Sequence, residues 1–306
     1  MEPIPLFTAA SGLNTKLDPV RLRYNAEAGV SDLASAINVN IDNTGRVSRR
    51  QGYDLKTAGE HHSIWCDGGD CFLIEETASY GSIMRVASDL SVSGIRSGLT
   101  KDKRMSFVDV NDITFYSNGF ENGQIINGVS SAWPEGTYSG PSTNRNFSPA
   151  PIGQHLAFYM GRIIIAVGNV IWFTEPYSPG MVDKTRMFWQ FSSDVRMIKP
   201  MDKGVFISDS RATYYLDGSS PHDFIQKRIA TYPAHEWSSA TEYVELDDLD
   251  LDEKGEGAIW SSPEGICIGL PSGRIRNLTK ERLDYPKAYT KGASLICGYH
   301  VINTMY

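Results

Sequence analysis

The chain has 306 residues, of which 41% are hydrophobic and 21% charged, and it carries a net charge of −7 at pH 7. This length supports one large β domain or two smaller ones with a real core, and the composition excludes a disordered chain. The acidic balance argues against a protein whose main task is to grip a nucleic-acid backbone, while leaving room for a channel through which DNA slides unbound.

The opening Met1-Glu2-Pro3-Ile4-Pro5 lacks the basic and apolar regions of a secretion signal. Residues up to about Tyr24 show no periodicity and read as an extended arm. A short helix is expected within 27–36, with Ser31 or Asp32 as its N-cap. Ile37, Val39 and Ile41 then alternate with Asn38, Asn40 and Asp42, the two-residue period of a half-buried strand. Asp42-Asn43-Thr44-Gly45 supplies a turn, and 46–50 returns as a polar strand.

Beyond residue 55 one unit recurs: a short apolar strand, a turn rich in Gly, Asn, Asp or Ser, and a second strand. It is seen at 71–74 with 83–86, at 113–116 with 124–126, and at 162–167 with 170–173. It returns at 204–207 with 212–216 and at 265–268 with 274–278. Most of the hairpins lie roughly 40–55 residues apart, the spacing of four-stranded propeller blades. The expected fold is all-β: an arm and hairpin over 1–55, then a β-propeller body over 56–306. Five hairpins give five blades, with six as the alternative count, and a sandwich or separate hairpin-rich subdomains would leave a similar trace. The stretch 183–191 reads as one turn or loop. The apolar end, 294–302, is expected to pair near Ser63-Ile64-Trp65 and close the ring of blades. The most apolar stretch, 163–173, is broken by Gly168-Asn169 and is too short to span a bilayer.

The chemistry-bearing residues are sparse. No Gly-x-Ser-x-Gly elbow, phosphate-cradling glycine loop or dinucleotide fingerprint is present, so no enzyme and no cofactor are expected. Cys66, Cys71, Cys267 and Cys297 are too few for a disulfide framework and read as reduced thiols. His61, His62, Cys66 and Cys71 lie close together, but no second Cys/His pair completes a zinc site. Asp248, Asp250 and Asp252 match the first three positions of a calcium loop, yet Glu253 stands where the loop needs glycine. This acidic run reads as a solvated strand with Val244, Leu246, Leu249 and Leu251 facing inward in part, the alternative being an acidic rim for a basic partner. Arg46, Arg49 and Arg50 cluster on a hairpin and are either a solvated face or a contact for acidic partner residues. Trp172, Phe173, Tyr177, Phe188, Trp189 and Phe191 read mostly as packing, with a sugar platform as the minority reading.

Three stretches taken together carry a resemblance. They are Ser11-Gly12-Leu13-Asn14-Thr15 with Asp18-Pro19, the run 36–53 through Gly45-Arg46 to Arg49-Arg50-Gln51-Gly52-Tyr53, and 172–177 with 204–218. They resemble the tail hub or nozzle proteins of tailed phages, including the DNA-stabilisation proteins of short-tailed phages. The resemblance implies a non-enzymatic structural part of the virion tail, made in the host cytoplasm. It implies a β-propeller body in a homohexameric ring below the head-to-tail adaptor. That ring would contact other tail proteins or fibres, and double-stranded DNA would pass its lumen without sequence-specific binding. Leu13, Asn14, Arg46, Arg49 and Arg50 are then the candidate partner interface. Two alternatives stay open: a carbohydrate- or receptor-binding propeller, expected to show a shallow aromatic pocket, and a glycan-cleaving propeller with two carboxylates in a central cleft.

Overall fold

The computed structural model describes residues 9–22, 24–25, 29–42, 44–52, 54–66, 71–137, 145–240, 243–247 and 253–284. Apart from one 3-10 turn at Pro19–Arg21, every regular element among them is a strand. No helix among the described residues is long and apolar enough to cross a membrane. They fall into two compact units. One holds the residues up to Leu55, Glu264–Cys267 and those from Asn277 on; the other holds Lys56–Pro263 and Ile268–Arg276.

In the first unit Ala10–Leu13 pairs in parallel with Val30–Leu33, and Tyr24–Asn25 pairs antiparallel with that same strand. The helix expected within 27–36 is therefore replaced by strand over Val30–Leu33. The physical reason is visible at its supposed cap. The Asp32 carboxylate accepts from Asn14 Nδ2 at 2.8 Å and from the Ser11 hydroxyl, so cross-strand bonds take the group that capping would have used, and pairing overrides local propensity. Val39–Ile41 and Val47–Arg49 form the expected hairpin. Its turn is fixed by Asp42 Oδ1, which accepts from Thr44 N, Thr44 Oγ1 and Arg46 N at 2.9, 2.6 and 3.0 Å. Gly45 takes φ +79°, a left-handed value that side-chain-bearing residues avoid.

The strands from Glu60 to Asn277 form a five-bladed β-propeller arrangement. In sheet order, blade one runs Glu60–Cys66, Cys71–Glu76, Gly81–Val86 and Val92–Leu99. Blade two runs Ser106–Val110, Ile113–Ser117, Asn122–Ile126 and Val129–Ser131. Blade three is built on His155–Tyr159, Arg162–Val167, Val170–Glu175 and Ser178–Asp183, with Phe147–Pro149 paired to the last of these. Blade four runs Val195–Met201, Gly204–Asp209, Thr213–Asp217 and Ile225–Ala230. Blade five runs Val244–Glu245, Glu256–Ser262, Gly265–Gly269 and Ile275–Asn277.

All five hairpins expected from the sequence are present. In blades one to four they are middle strands; in blade five the hairpin is the third and fourth strands. The stretch 183–191 is not a plain loop, because Phe188–Gln190 pairs with Val170–Trp172 and widens blade three. The segment 294–302 and its proposed closure lie outside the described residues.

Apolar faces of neighbouring blades bury one another. Ile164, Ile171, Phe173, Val205, Ile207 and Leu216, all at most 1% exposed, form one shared core of blades three and four. Blades one and two share Phe72, Ile74, Ile83, Phe107 and Tyr116, with Trp65, Phe72 and Phe107 ring centroids about 6 Å apart in stacked orientation. Gly273 takes φ +80° in the expected Ser272-Gly273 turn, and a Cβ there would run into the Tyr215 ring. Polar side chains tie blade to blade through the backbone: Ser106 Oγ accepts from Leu156 N at 2.9 Å, and Lys199 Nζ donates to Ala240 O at 2.9 Å.

Candidate functional site

The first strand of blade one, Glu60–Cys66, is irregular. Its pairing with Cys71–Glu76 slips between His62 and Trp65, and Ser63 sits at φ +52°. On a regular strand His62 and Ser63 would point to opposite faces. The bulge turns them into one network instead. His62 Nδ1 lies 2.8 Å from Ser63 Oγ, and His62 Nε2 lies 2.8 Å from Glu76 Oε1. Ser63 Oγ also accepts from Met105 N at 2.9 Å, and Glu76 Oε1 from Asp102 N at 3.3 Å.

Donor and acceptor roles follow from what each group can do. The Glu76 carboxylate can only accept, so His62 Nε2 carries the proton and Nδ1 presents its lone pair. Nδ1 therefore accepts from the Ser63 hydroxyl, whose oxygen is gripped from behind by the Met105 N–H. The order serine, imidazole, carboxylate is that of a nucleophile, its base and the group that orients the base. Burial pushes the His62 pKa below its ordinary 6.5, the bond to Glu76 opposes this, and the Arg104 guanidinium adds to it. A lowered imidazole stays neutral near pH 7, the state a general base needs. Glu76 is 4% exposed at its side chain, and its Oε2 has no hydrogen-bond partner among the described residues. Ser63 itself is half-buried and stays within reach of solvent.

A second polar cluster is built on the first strand of blade three and the segment entering blade five. His155, 6% exposed, packs against the Trp237 ring with centroids 4.2 Å apart, and Trp237 sits at φ +61°. His155 Nε2 is 3.7 Å from Glu236 Oε1, too long for a direct hydrogen bond. Chiefly the His155 imidazole, and also Arg196, hold Glu236 below the usual carboxylate range against the opposing effect of burial. Burial and Arg196 likewise lower His235, whose Nδ1 lies 3.1 Å from Ser261 Oγ.

The residues singled out from the sequence fall elsewhere. Leu13 is half-buried in the parallel sheet, and Asn14 is 5% exposed with its amide donating to Asp32 and accepting from Lys16 N and Leu17 N. Arg46, Arg49 and Arg50 are exposed along the hairpin, Arg50 Nε donating to Asn40 Oδ1 at 3.3 Å. Cys66 and Cys71 are joined in a disulfide, which corrects the expectation of reduced thiols there. They stand opposite each other in the register of the hairpin, with Cα atoms 4.2 Å apart, so pairing brings the sulfurs together whatever the total cysteine count. Among the described residues no group of three or more His, Cys, Asp or Glu could hold a metal ion. Of the acidic run, Val244 and Leu246 are buried and Glu253 receives Ser272 Oγ and Arg274 Nε; Asp248, Asp250 and Asp252 lie outside the described residues. Phe173 and Phe191 are core, while Tyr177 is 79% and Phe188 38% exposed.

No family model matches this chain, and no curated protein matches it. Solved structures do. A protein from Lactobacillus plantarum is similar at a TM-score of 0.50 and 10% identity, over 78% of this chain and 75% of its own. A protein from Bacteroides uniformis, provisionally described as a 6-phosphogluconolactonase, gives 0.44 at 10% identity over 79% and 76%. A protein from Xanthomonas campestris described as a gluconolactonase gives 0.45 at 11% identity over 72% and 75%. Two expectations drawn from the sequence are corrected here. The chain is not read further as a phage-tail ring, nor as a non-enzyme, because no family model or curated protein supports a tail component and the similar solved structure from Lactobacillus plantarum supports the propeller fold. At such identities the likeness itself shows the fold alone, the β-propeller.

Proposed function

We infer that this chain is a hydrolase-type β-propeller in which Ser63 is the nucleophile, His62 the general base and Glu76 the group that orients the imidazole. The observation that carries the reading is the unbroken donor–acceptor order from Met105 N–H through Ser63 and His62 to Glu76, with both side-chain steps at 2.8 Å. The left-handed backbone of Ser63 supports it, since strain of this kind costs about 1–3 kcal/mol and collects at functional positions.

The matching substrate class is an acyl ester or lactone. Ser63 Oγ bonds to the acyl carbon as its proton passes to His62 Nδ1 and the carbonyl electron pair moves onto oxygen. Collapse breaks the bond to the leaving alkoxide, which takes the proton back from His62. Water repeats the two steps on the acyl-enzyme, leaving a carboxylic acid and free Ser63. Glu76 keeps the imidazole in the Nε2–H tautomer and faces the imidazolium that forms in between.

The test needs no knowledge of the substrate. A fluorophosphonate probe is expected to label the protein at Ser63, located by peptide mass spectrometry. Labelling should vanish in Ser63→Ala and fall by about 100-fold or more in His62→Gln, the usual scale of acid–base assistance. A protein that resists the probe while a control serine hydrolase reacts, or that is labelled equally well in Ser63→Ala, sinks the reading.

A further inference from the structure

Blades three and four enclose an open groove of about 490 Å³ lined by Thr185, Arg186, Phe188, Trp189, Pro221 and His222. It shares no residue with the Ser63 network, and nothing in the proposed hydrolysis uses it. Two of its features stand without a complement among the described residues.

One is an aromatic surface. Phe188 leans on Trp172, with ring centroids 5.5 Å apart, yet keeps 38% of its surface in water. Trp189 beside it is anchored rather than free to collapse over the groove. Its Nε1 donates to Gln226 Oε1 at 2.8 Å, and its ring meets Phe224 edge-on at 6.0 Å. The groove is therefore held open around an apolar floor.

The other is positive charge. The exposed Arg186 side chain makes no ion pair or hydrogen bond among the described residues. The nearby acids do not neutralise it. Asp183 is fully buried and receives Thr185 Oγ1 and Asn146 N. Asp223 is turned back onto Ser219 and Ser220, which hold its carboxyl down at about 2. No carboxylate is among the described residues that line the groove.

The geometry points to a binding site for a small molecule that joins a flat ring to an anionic group, of the class of a nucleoside monophosphate. The ring covers Phe188 and Trp189, and the phosphate meets the Arg186 guanidinium, whose planar fork suits phosphate oxygens. Thr185 spends its hydroxyl proton on Asp183 and keeps lone pairs for a donor on the ligand. A neutral sugar would leave Arg186 unmatched, and an inorganic anion would leave Phe188 wet. Both halves are needed, and only a ligand carrying both fills the groove.

Titration calorimetry on the intact protein with adenosine monophosphate, adenosine, inorganic phosphate and maltose decides the matter. Adenosine monophosphate is expected to bind at least 10-fold more tightly than adenosine or phosphate alone. Arg186→Gln should reduce its affinity to that of adenosine, and Phe188→Ala to that of phosphate. Both residues are exposed, so the variants keep the fold, and an unchanged melting curve checks this. No binding of adenosine monophosphate at millimolar concentration, binding of maltose in preference to it, or undiminished binding in Arg186→Gln would each overturn the assignment. Labelling of Ser63 by the fluorophosphonate probe is indifferent to all of these results, so this site and the proposed hydrolytic one stand or fall separately.

Discussion

Blades one and four follow one plan, four antiparallel strands with a register slip in the first, yet they use buried polar residues in opposite ways. In blade four the strand Gly204–Asp209 is buried along its whole length. Its two polar residues hold mainly backbone: Ser208 Oγ accepts from Ala234 N at 2.7 Å, and Asp209 Oδ1 accepts from Arg211 N and Ala212 N at 2.8 Å each, beside hydroxyl contacts from Thr213 to Ser208 and from Ser192 and Tyr214 to Asp209 Oδ2. The backbone bonds fix a turn, and no imidazole stands among these groups to take a proton. In blade one the polar residues hold each other, His62 to Ser63 and His62 to Glu76. Every link there joins groups that can exchange a proton. The comparison teaches that burial and hydrogen bonding alone do not mark a reactive site. What marks it is a chain of side chains whose donor and acceptor roles run in one direction.

If blade four is scaffold, its variants should cost stability. Phe206→Ala is expected to show the largest effect. Phe206 is fully buried against Tyr215 and Trp260, with ring centroids 4.8 and 5.3 Å away, and its removal should cost about 3–5 kcal/mol in chemical denaturation. A loss below about 1 kcal/mol would mean that the interface between blades four and five is not packed as described. Asp209→Ala comes next, at about 2–3 kcal/mol, because two backbone N–H groups lose a charged acceptor in a buried turn.

Blade one should behave in the reverse manner. Ser63→Ala is expected to cost only about 1 kcal/mol, the loss of one acceptor for Met105 N, while abolishing probe labelling. Equal losses of stability at Ser63 and Asp209 would erase the distinction between the two blades.

The pH dependence sharpens the comparison further. His62 is lowered in the folded protein, so below its unfolded value near 6.5 the unfolded chain binds more protons. Stability contributed by the neutral imidazole is therefore present above that value and is lost as pH falls through the lowered folded pKa. Labelling of Ser63 should decline over the same range, as the base becomes protonated. His62→Gln should flatten its share of the acid-side loss in denaturation midpoints, leaving the share of the similarly lowered His235. A pH profile identical in the two proteins would remove His62 from the role. The smallest effect is expected at the exposed pair Lys227–Asp217 on the fourth and third strands of blade four, where Lys227→Met should change stability by at most about 0.5 kcal/mol.

Much of the architecture was legible in the sequence because turn chemistry and hydrophobic pairs are local. Val205-Phe206-Ile207 before Asp209 and Tyr214-Tyr215-Leu216 after it announce a buried hairpin, and the same grammar repeats five times. Such repetition separates a propeller from a helical fold before any contact is known. Local signals misled at Ser31 and Asp32, where a good N-cap is spent on a sheet contact to Ser11 and Asn14. They misled again at 183–191, where Phe188–Gln190 adds a strand that needs Val170–Trp172 to exist.

The candidate site was nearly invisible. His62 and Ser63 were in view, but period two assigns neighbours on a strand to opposite faces, and only the slip between His62 and Trp65 joins them. Glu76 lies 14 residues from His62, and Met105 belongs to the segment entering the next blade, so no linear motif could have linked them. The sequence by itself determined that this chain builds β hairpins in series with apolar interiors, because strand period and turn residues act over a few positions. Only the tertiary structure decided which polar groups meet, since a bulge, a hairpin register and a neighbouring blade must all be in place before serine, imidazole and carboxylate stand in line.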